Sequence, residues 1–199
     1  MPLSMPDDTI DRLAALVAGY RPTEVVLLGD IVHRAIPVPA LRSELESLVS
    51  RLSSVTMRWV AGNHDRRLGA LLEEAGLQNV ALERELVIGP HLLTHGDQND
   101  SPAAERFLER QNHGRLIMGH EHPAISLSDG VTTSIKCPCF LASDRVLVLP
   151  AFSGWAAGGN VRTGRFMSPF AQAANFTHAY AIVGSRILPV ALQGAAGGV

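Results

Sequence analysis

A layered α/β domain is the fold class the sequence predicts, and three observations carry it. Strand-like and helix-like runs alternate over the first two thirds of the 199-residue chain. After Pro123 the runs are short, strand-like and separated by Gly, Pro, Ser and Asp. Four of the apolar runs end alike, in a glycine beside Asp, Asn or His. Alternation followed by consecutive strands points to layers of helix on sheet rather than to a helical bundle.

The elements follow in order. Residues 1–6 hold two prolines and serve as a lead-in. Asp7 or Asp8 caps a helix whose apolar stripe is Ile10, Leu13, Leu16 and Val17, ending near Gly19. Glu24–Leu28 (EVVLL), bounded by Arg21-Pro22 and Gly29-Asp30, reads as a strand buried on both faces. Leu41, Leu45, Leu48, Val49 and Leu52 recur at helical spacing. Residues 55–61 (VTMRWVA) form the next strand, stopped by Gly62-Asn63, and a short helix over 68–75 is closed by Gly76. Val80, residues 86–88 and His91–Thr94 are strand pieces, with Gly89-Pro90 as a turn. A helix over 102–110 and a strand over 115–118 complete the alternating part. Beyond Pro123, residues 125–127, 131–135, 146–149, 180–183 and 187–192 are strand-like, and no helical period stands out. The stretch 154–176 is a Gly-rich loop and 193–199 a frayed tail, so one domain spans 1–199.

Composition narrows the function classes. With 17 Lys+Arg against 19 Asp+Glu, the net charge of −2 offers no field that would hold a nucleic acid or a membrane by charge alone. A phosphate-bearing partner must be caught by a local site. No apolar run reaches the ~18 residues of a membrane span, and the N-terminus lacks a charged-then-apolar leader pattern, which implies a cytoplasmic protein with no membrane partner. The two cysteines stand as Cys137-Pro138-Cys139, too close for an ordinary disulfide, and are expected to pack as small hydrophobes or to lie on a strand.

The chemistry sits at the four strand ends. VVLL runs into Gly29-Asp30, RWVA into Gly62-Asn63-His64-Asp65, LLT into His95-Gly96-Asp97, and RLIM into Gly119-His120-Glu121-His122. One Gly-Asp after a strand is ordinarily a turn, and an isolated His-x-His is ordinarily a surface pair. Four such signals differ, because loops at the carboxyl ends of strands in an open α/β sheet converge on one crevice. Asp and Asn oxygens with imidazole nitrogens suit Mn, Fe, Zn or Co better than Ca or a thiolate-selected metal.

In this order the motifs GD, GNHD, HGD and GHEH resemble those of the calcineurin-like metallophosphoesterases. GNHDRR at 62–67, GHEHP at 119–123, and KCPCF at 136–140 followed by LPAF at 149–152 are similar to the bacterial ligase-associated DNA-repair metallophosphoesterases (the PdeM-like group). The resemblance implies a four-layer αββα sandwich of two mixed sheets flanked by helices. It implies that Asp30 bridges two ions, that Asn63, His95 and His120 complete the shell of one, and that His122 serves the other. His64 would be the general acid over the leaving group, held by Asp65. Two cations sharing a carboxylate activate water and neutralise phosphoryl charge, and imidazole has the pKa to protonate a departing alkoxide.

One part of the family pattern is missing. The usual first strand ends in an Asp-x-His motif that feeds the second ion, and nothing upstream of Asp30 can replace it. One tight ion is therefore expected, with the second uncertain. A start that falls just after that strand, a one-metal variant, and a phosphate-binding scaffold that does not hydrolyse are the three explanations, the first preferred. Mn is the favoured ion, with Fe, Zn, Co or Ni as the others. His33, Arg66 and Arg67 are candidate substrate contacts; Arg162, Arg165, Trp155 and Phe166 could follow a nucleic-acid chain or simply anchor the Gly-rich loop. Asp97 and Glu121 could orient neighbouring imidazoles. The expected activity is metal-dependent phosphodiester hydrolysis; the resemblance further implies single-stranded DNA in repair as its substrate, alongside ligase, helicase or nuclease partners. The alternatives are an impaired phosphate-binding member acting in a complex, or a small-molecule or nucleotide phosphoesterase.

Overall fold

The computed structural model describes residues 7–32, 38–77, 80–97, 101–110, 113–128, 130–154 and 156–192. The lead-in 1–6, the tail 193–199, and the candidates His33 and Trp155 lie outside the described residues. The chain divides into two compact units, Met1–Leu86 and Val87–Val199.

In the first unit, helices α1 (Asp7–Tyr20), α2 (Val38–Arg51) and α3 (Leu68–Glu74) alternate with strands β1 (Glu24–Leu28), β2 (Thr56–Val60) and β3 (Ala81–Glu83). The strands pair in the order β1-β2-β3, all parallel, which a helical crossover between each pair makes possible. Arg58 on β2 reaches Glu24 on β1 (3.7 Å) and Glu83 on β3 (2.6 Å), so one guanidinium spans all three strands. Leu45 and Leu48 from α2, and Leu52 just past its end, pack with Trp59, Leu68 and Ile10 in one cluster. Two expectations need correction. The buried stripe of α1 is Ile10, Leu13, Ala14 and Val17, whereas Leu16 is exposed, because positions i, i+3, i+4 and i+7 share a face and Leu16 falls beside it. Strand β1 is half-buried at every residue rather than buried on both faces, and it stands at the end of the three-strand order.

The second sheet begins with β4 (Glu85–Ile88), within which the unit boundary falls, and β5 (His91–Thr94). Helix α4 (Pro102–Glu109) follows, then β6 (Leu116–Met118), β7 (Pro123–Ser128), β8 (Ser134–Ala142) and β9 (Val146–Val148). The Gly-rich stretch holds β10 (Gly159–Asn160), a 3-10 turn (Val161–Thr163) and α5 (Pro169–Ala173), and β11 (His178–Val183) and β12 (Arg186–Ala191) end the described chain. The order is β10-β7-β8-β9-β6-β5-β4, with β11 joining β8 and β12 joining β11. Parallel and antiparallel pairs mix here, so among the described strands the mixing is confined to this sheet. The strand expected over 131–135 is instead the nine-residue β8, whose alternation places Cys137 and Cys139 on its buried face. A helix, α5, occurs where none was expected; five residues are too few to register a 3.6-residue period. Burial pushes the Cys139 thiol up to about 12, with the neighbouring Cys137 adding to the shift. No helix among the described residues is long and apolar enough to cross a membrane.

Ser101 caps α4 by accepting from Ala104 N (3.1 Å), and Pro102 opens it. The other end of α4 is held from outside. Arg145 donates from Nη2 to Phe107 O (2.9 Å), from Nη1 to Arg110 O (2.9 Å) and from Nε to Gly114 O (3.3 Å), while its guanidinium lies over the Phe107 ring. Arg145→Met keeps the aliphatic stem but withdraws all three donors, and is expected to lower stability by about 2 kcal/mol in urea unfolding.

Candidate metal centre

In the first unit, the loops carrying Asp30 and Asn63 leave adjacent parallel strands whose last residues, Leu28 and Val60, are register partners. Asp30 has φ +52, a left-handed conformation that costs a non-glycine residue about 1–2 kcal/mol. A turn closed by Asp65 N donating to Gly62 O (3.1 Å) puts Asn63 and His64 at its two corners. His64 N donates to Asp30 Oδ1 (3.1 Å), and a Cβ at Gly62 would collide with both the backbone nitrogen and Oδ1 of Asp30.

Asp65 clasps these two loops together. Its Oδ2 accepts from Gly62 N (2.8 Å) and Ile31 N (3.3 Å), and its Oδ1 accepts from Val32 N (2.9 Å). Burial raises its carboxyl above the ordinary range, the three backbone donors oppose that, and the Asp30 charge adds to it. The described bonds of this carboxylate thus run to backbone rather than to His64. Among the described residues, the buried Oδ1 of Asn63 has no hydrogen-bond partner. Leaving such an oxygen unsatisfied costs about 1–3 kcal/mol, a cost that ligation of a cation removes.

In the second unit, β5 and β6 are parallel neighbours, with Thr94 beside Met118, so His95 and Gly119-His120 emerge side by side. Gly119 N donates to His95 O (3.1 Å), and Glu121 N donates to Gly119 O (2.7 Å), closing a three-residue γ-turn centred on His120. His120 has φ +62 and His122 φ +44. The imidazoles of His95 and His120 meet edge to face, with Nε2 of one 3.3 Å from Nδ1 of the other. Two imidazole nitrogens converging in this way, one on a buried residue, suit joint ligation of one ion. Strained backbone at Asp30, His120 and His122 marks positions where the fold sacrifices stability to aim a side chain. The donor chemistry and the orphaned Asn63 oxygen fit a divalent cation.

His64, Arg66 and Arg67 are exposed at the turn and the start of α3. His91 has a structural task, its Nδ1 accepting from Arg115 N (3.1 Å). Glu121 does not serve the imidazoles as expected: it is 7% exposed, and its carboxylate accepts from Met167 N (3.1 Å) and Ser168 N (2.5 Å). Its position between two histidines hid this role, because its partners lie 46 and 47 residues away.

Residues 6–84 match the family model described as calcineurin-like phosphoesterase. Among solved structures, the crystal structure of Pseudomonas putida nuclease MPE has the same fold, with TM-score 0.64 and 24% sequence identity over 92% of this chain and 79% of that one. No curated protein matches the sequence.

The Gly62 contact yields a paired test. Gly62→Ala must displace Asp30 and is expected to lower stability by about 1–3 kcal/mol and to reduce metal affinity at least tenfold. Gly69→Ala, where a Cβ meets only a Leu82 methyl at 3.8 Å within α3, should be neutral or slightly stabilising. Thermal melts and calorimetric metal titration of both variants check the contrast.

Proposed function

We propose that the chain, a phosphoesterase of the metallophosphoesterase superfamily by its family match, motifs and fold, hydrolyses phosphodiester bonds using one tightly held divalent cation. In this reading, as the GD, GNHD, HGD and GHEH motifs imply, Asp30, His95 and His120 hold the ion, with Asn63 as a further ligand. The orphaned Asn63 oxygen is the observation that carries the reading, since no hydrogen bond among the described residues accounts for its burial. Mn is the favoured ion for this mixed oxygen and nitrogen set, with Fe, Zn, Co or Ni as the others. When bound, the ion activates water and stabilises charge on the phosphoryl oxygens.

The chain's own groups supply the rest. The exposed His64, at the corner of the GNHD turn, donates a proton to the leaving oxygen. Asp65 acts on it indirectly, by fixing the turn against the Asp30 loop. His122 is the remaining ligand for a second, weaker ion. Arg66 and Arg67 offer charge to the substrate's phosphate from the start of α3. The substrate class is single-stranded DNA, in a repair setting in the cytoplasm with ligase, helicase or nuclease partners. Support comes from the GNHDRR, GHEHP and KCPCF motifs and from a fold shared with a protein titled a nuclease.

The test is Mn²⁺-dependent cleavage of bis-p-nitrophenyl phosphate and of a single-stranded oligonucleotide. His64→Ala should lower kcat by about 10²–10⁴-fold with the metal retained. Asn63→Ala should lose both metal and activity. Elemental analysis should find close to one tight ion per chain. Wild-type turnover no higher than that of the two variants overturns the enzyme reading, and two equally tight ions overturn the one-ion partition.

A further inference from the structure

Segment 158–168 of the Gly-rich loop is tied at both ends to the turn that carries His120 and His122. At its start, Gly159 N donates to His122 O (2.9 Å), and Gly159 and Asn160 pair with Pro123 and Ala124. Lys136 Nζ reaches Gly158 O (2.6 Å), and a Cβ on Gly158, at φ +69, would collide with His122 O and Ala124. At its end, the Glu121 carboxylate receives Met167 N and Ser168 N. A buried carboxylate is costly unless its partners are fixed, so this contact holds the segment firmly.

Between the anchors the chain turns through Val161–Thr163 and Gly164 (φ +65), leaving Arg162 and Arg165 exposed. Each arginine is three residues from an anchor, so its Cα lies within about 11 Å of it. No Asp or Glu occurs after Asp144, whereas Arg145, Arg162, Arg165 and Arg186 do. The overall charge of −2 conceals this acid-free, cationic stretch. Guanidinium groups pair with phosphate in bidentate fashion, and no acid in the segment competes for them.

We infer that Glu121 is a positioning residue that fixes segment 158–168 against the His120–His122 turn, so that Arg162 and Arg165 take up the phosphodiester backbone of a polymeric substrate beyond the scissile group. This rests on the phosphodiesterase reading above. It makes the site selective for a chain of phosphates over a single ester.

Two measurements test it. Trypsin cleavage after Arg162 and Arg165 should accelerate at least tenfold in Glu121→Ala, with Glu121→Gln between it and wild type because an amide keeps one acceptor oxygen. Unchanged cleavage in a folded Glu121→Ala overturns the tether, whatever the chain's activity. Second, Arg162→Ala/Arg165→Ala should lower kcat/KM for a single-stranded oligonucleotide at least tenfold more than for bis-p-nitrophenyl phosphate. The salt dependence of log KM for the oligonucleotide should become shallower by about 1.4, at ~0.7 per lost phosphate contact. Glu121→Ala should shift the two substrates apart in the same direction, whereas a merely structural loss lowers both together. Equal losses on both substrates overturn the arginines' role. If the wild-type chain cleaves neither ester, the phosphodiesterase reading fails by itself. Oligonucleotide binding by fluorescence anisotropy then decides the arginines' role, supported by at least tenfold weaker binding in the double variant and overturned by equal binding.

Discussion

Left-handed backbone at the ends of strands is the constraint on which the rest of the site depends. A strand delivers side chains alternately to its two faces, so a donor that must project forward from its end needs the chain to turn at once. Asp30, His120 and His122 turn by adopting positive φ, at a cost that only the surrounding structure can offset. In the first unit the offset comes from Asp65, whose carboxylate gathers three backbone N–H groups from the loops after β1 and β2. In the second it comes from the γ-turn at His120 and from the bond between Gly119 and His95. Glycine appears where a neighbour would otherwise be struck, as at Gly62 against Asp30.

Register does the remaining alignment. Parallel neighbours in step place their loops side by side, so β1 and β2 present Asp30 and Asn63 together, and β5 and β6 present His95 and His120 together. No long-range search by flexible side chains is needed. These side chains are short or ring-shaped, with few rotamers to freeze, which limits the entropy lost on ordering them.

Much of this was legible in the residues, and what was not has physical reasons. The strands EVVLL and HLLT and the helix over 102–110 were visible because their signals are local, whereas the Ser101 cap of that helix was not read. The donors at the four strand ends were visible because glycine beside Asp, Asn or His is also local. Leu16 was misplaced because four apolar residues near one face leave the stripe's edge ambiguous. Helix α5 is too short to show a period. The bond from Glu121 to Met167 and Ser168 could not be read at all, since contact across 46 residues leaves no spacing rule. The cationic character after Asp144 was present in the composition but vanished in the whole-chain average.

The buried faces of β8 have a chemical consequence of their own. A thiol whose ionisation is pushed to about 12 supplies almost no thiolate at neutral pH, so Cys139 is a poor target for alkylating reagents and oxidants while β8 stays paired. Covalent labelling of Cys139 would then act as a clock for opening of the second sheet.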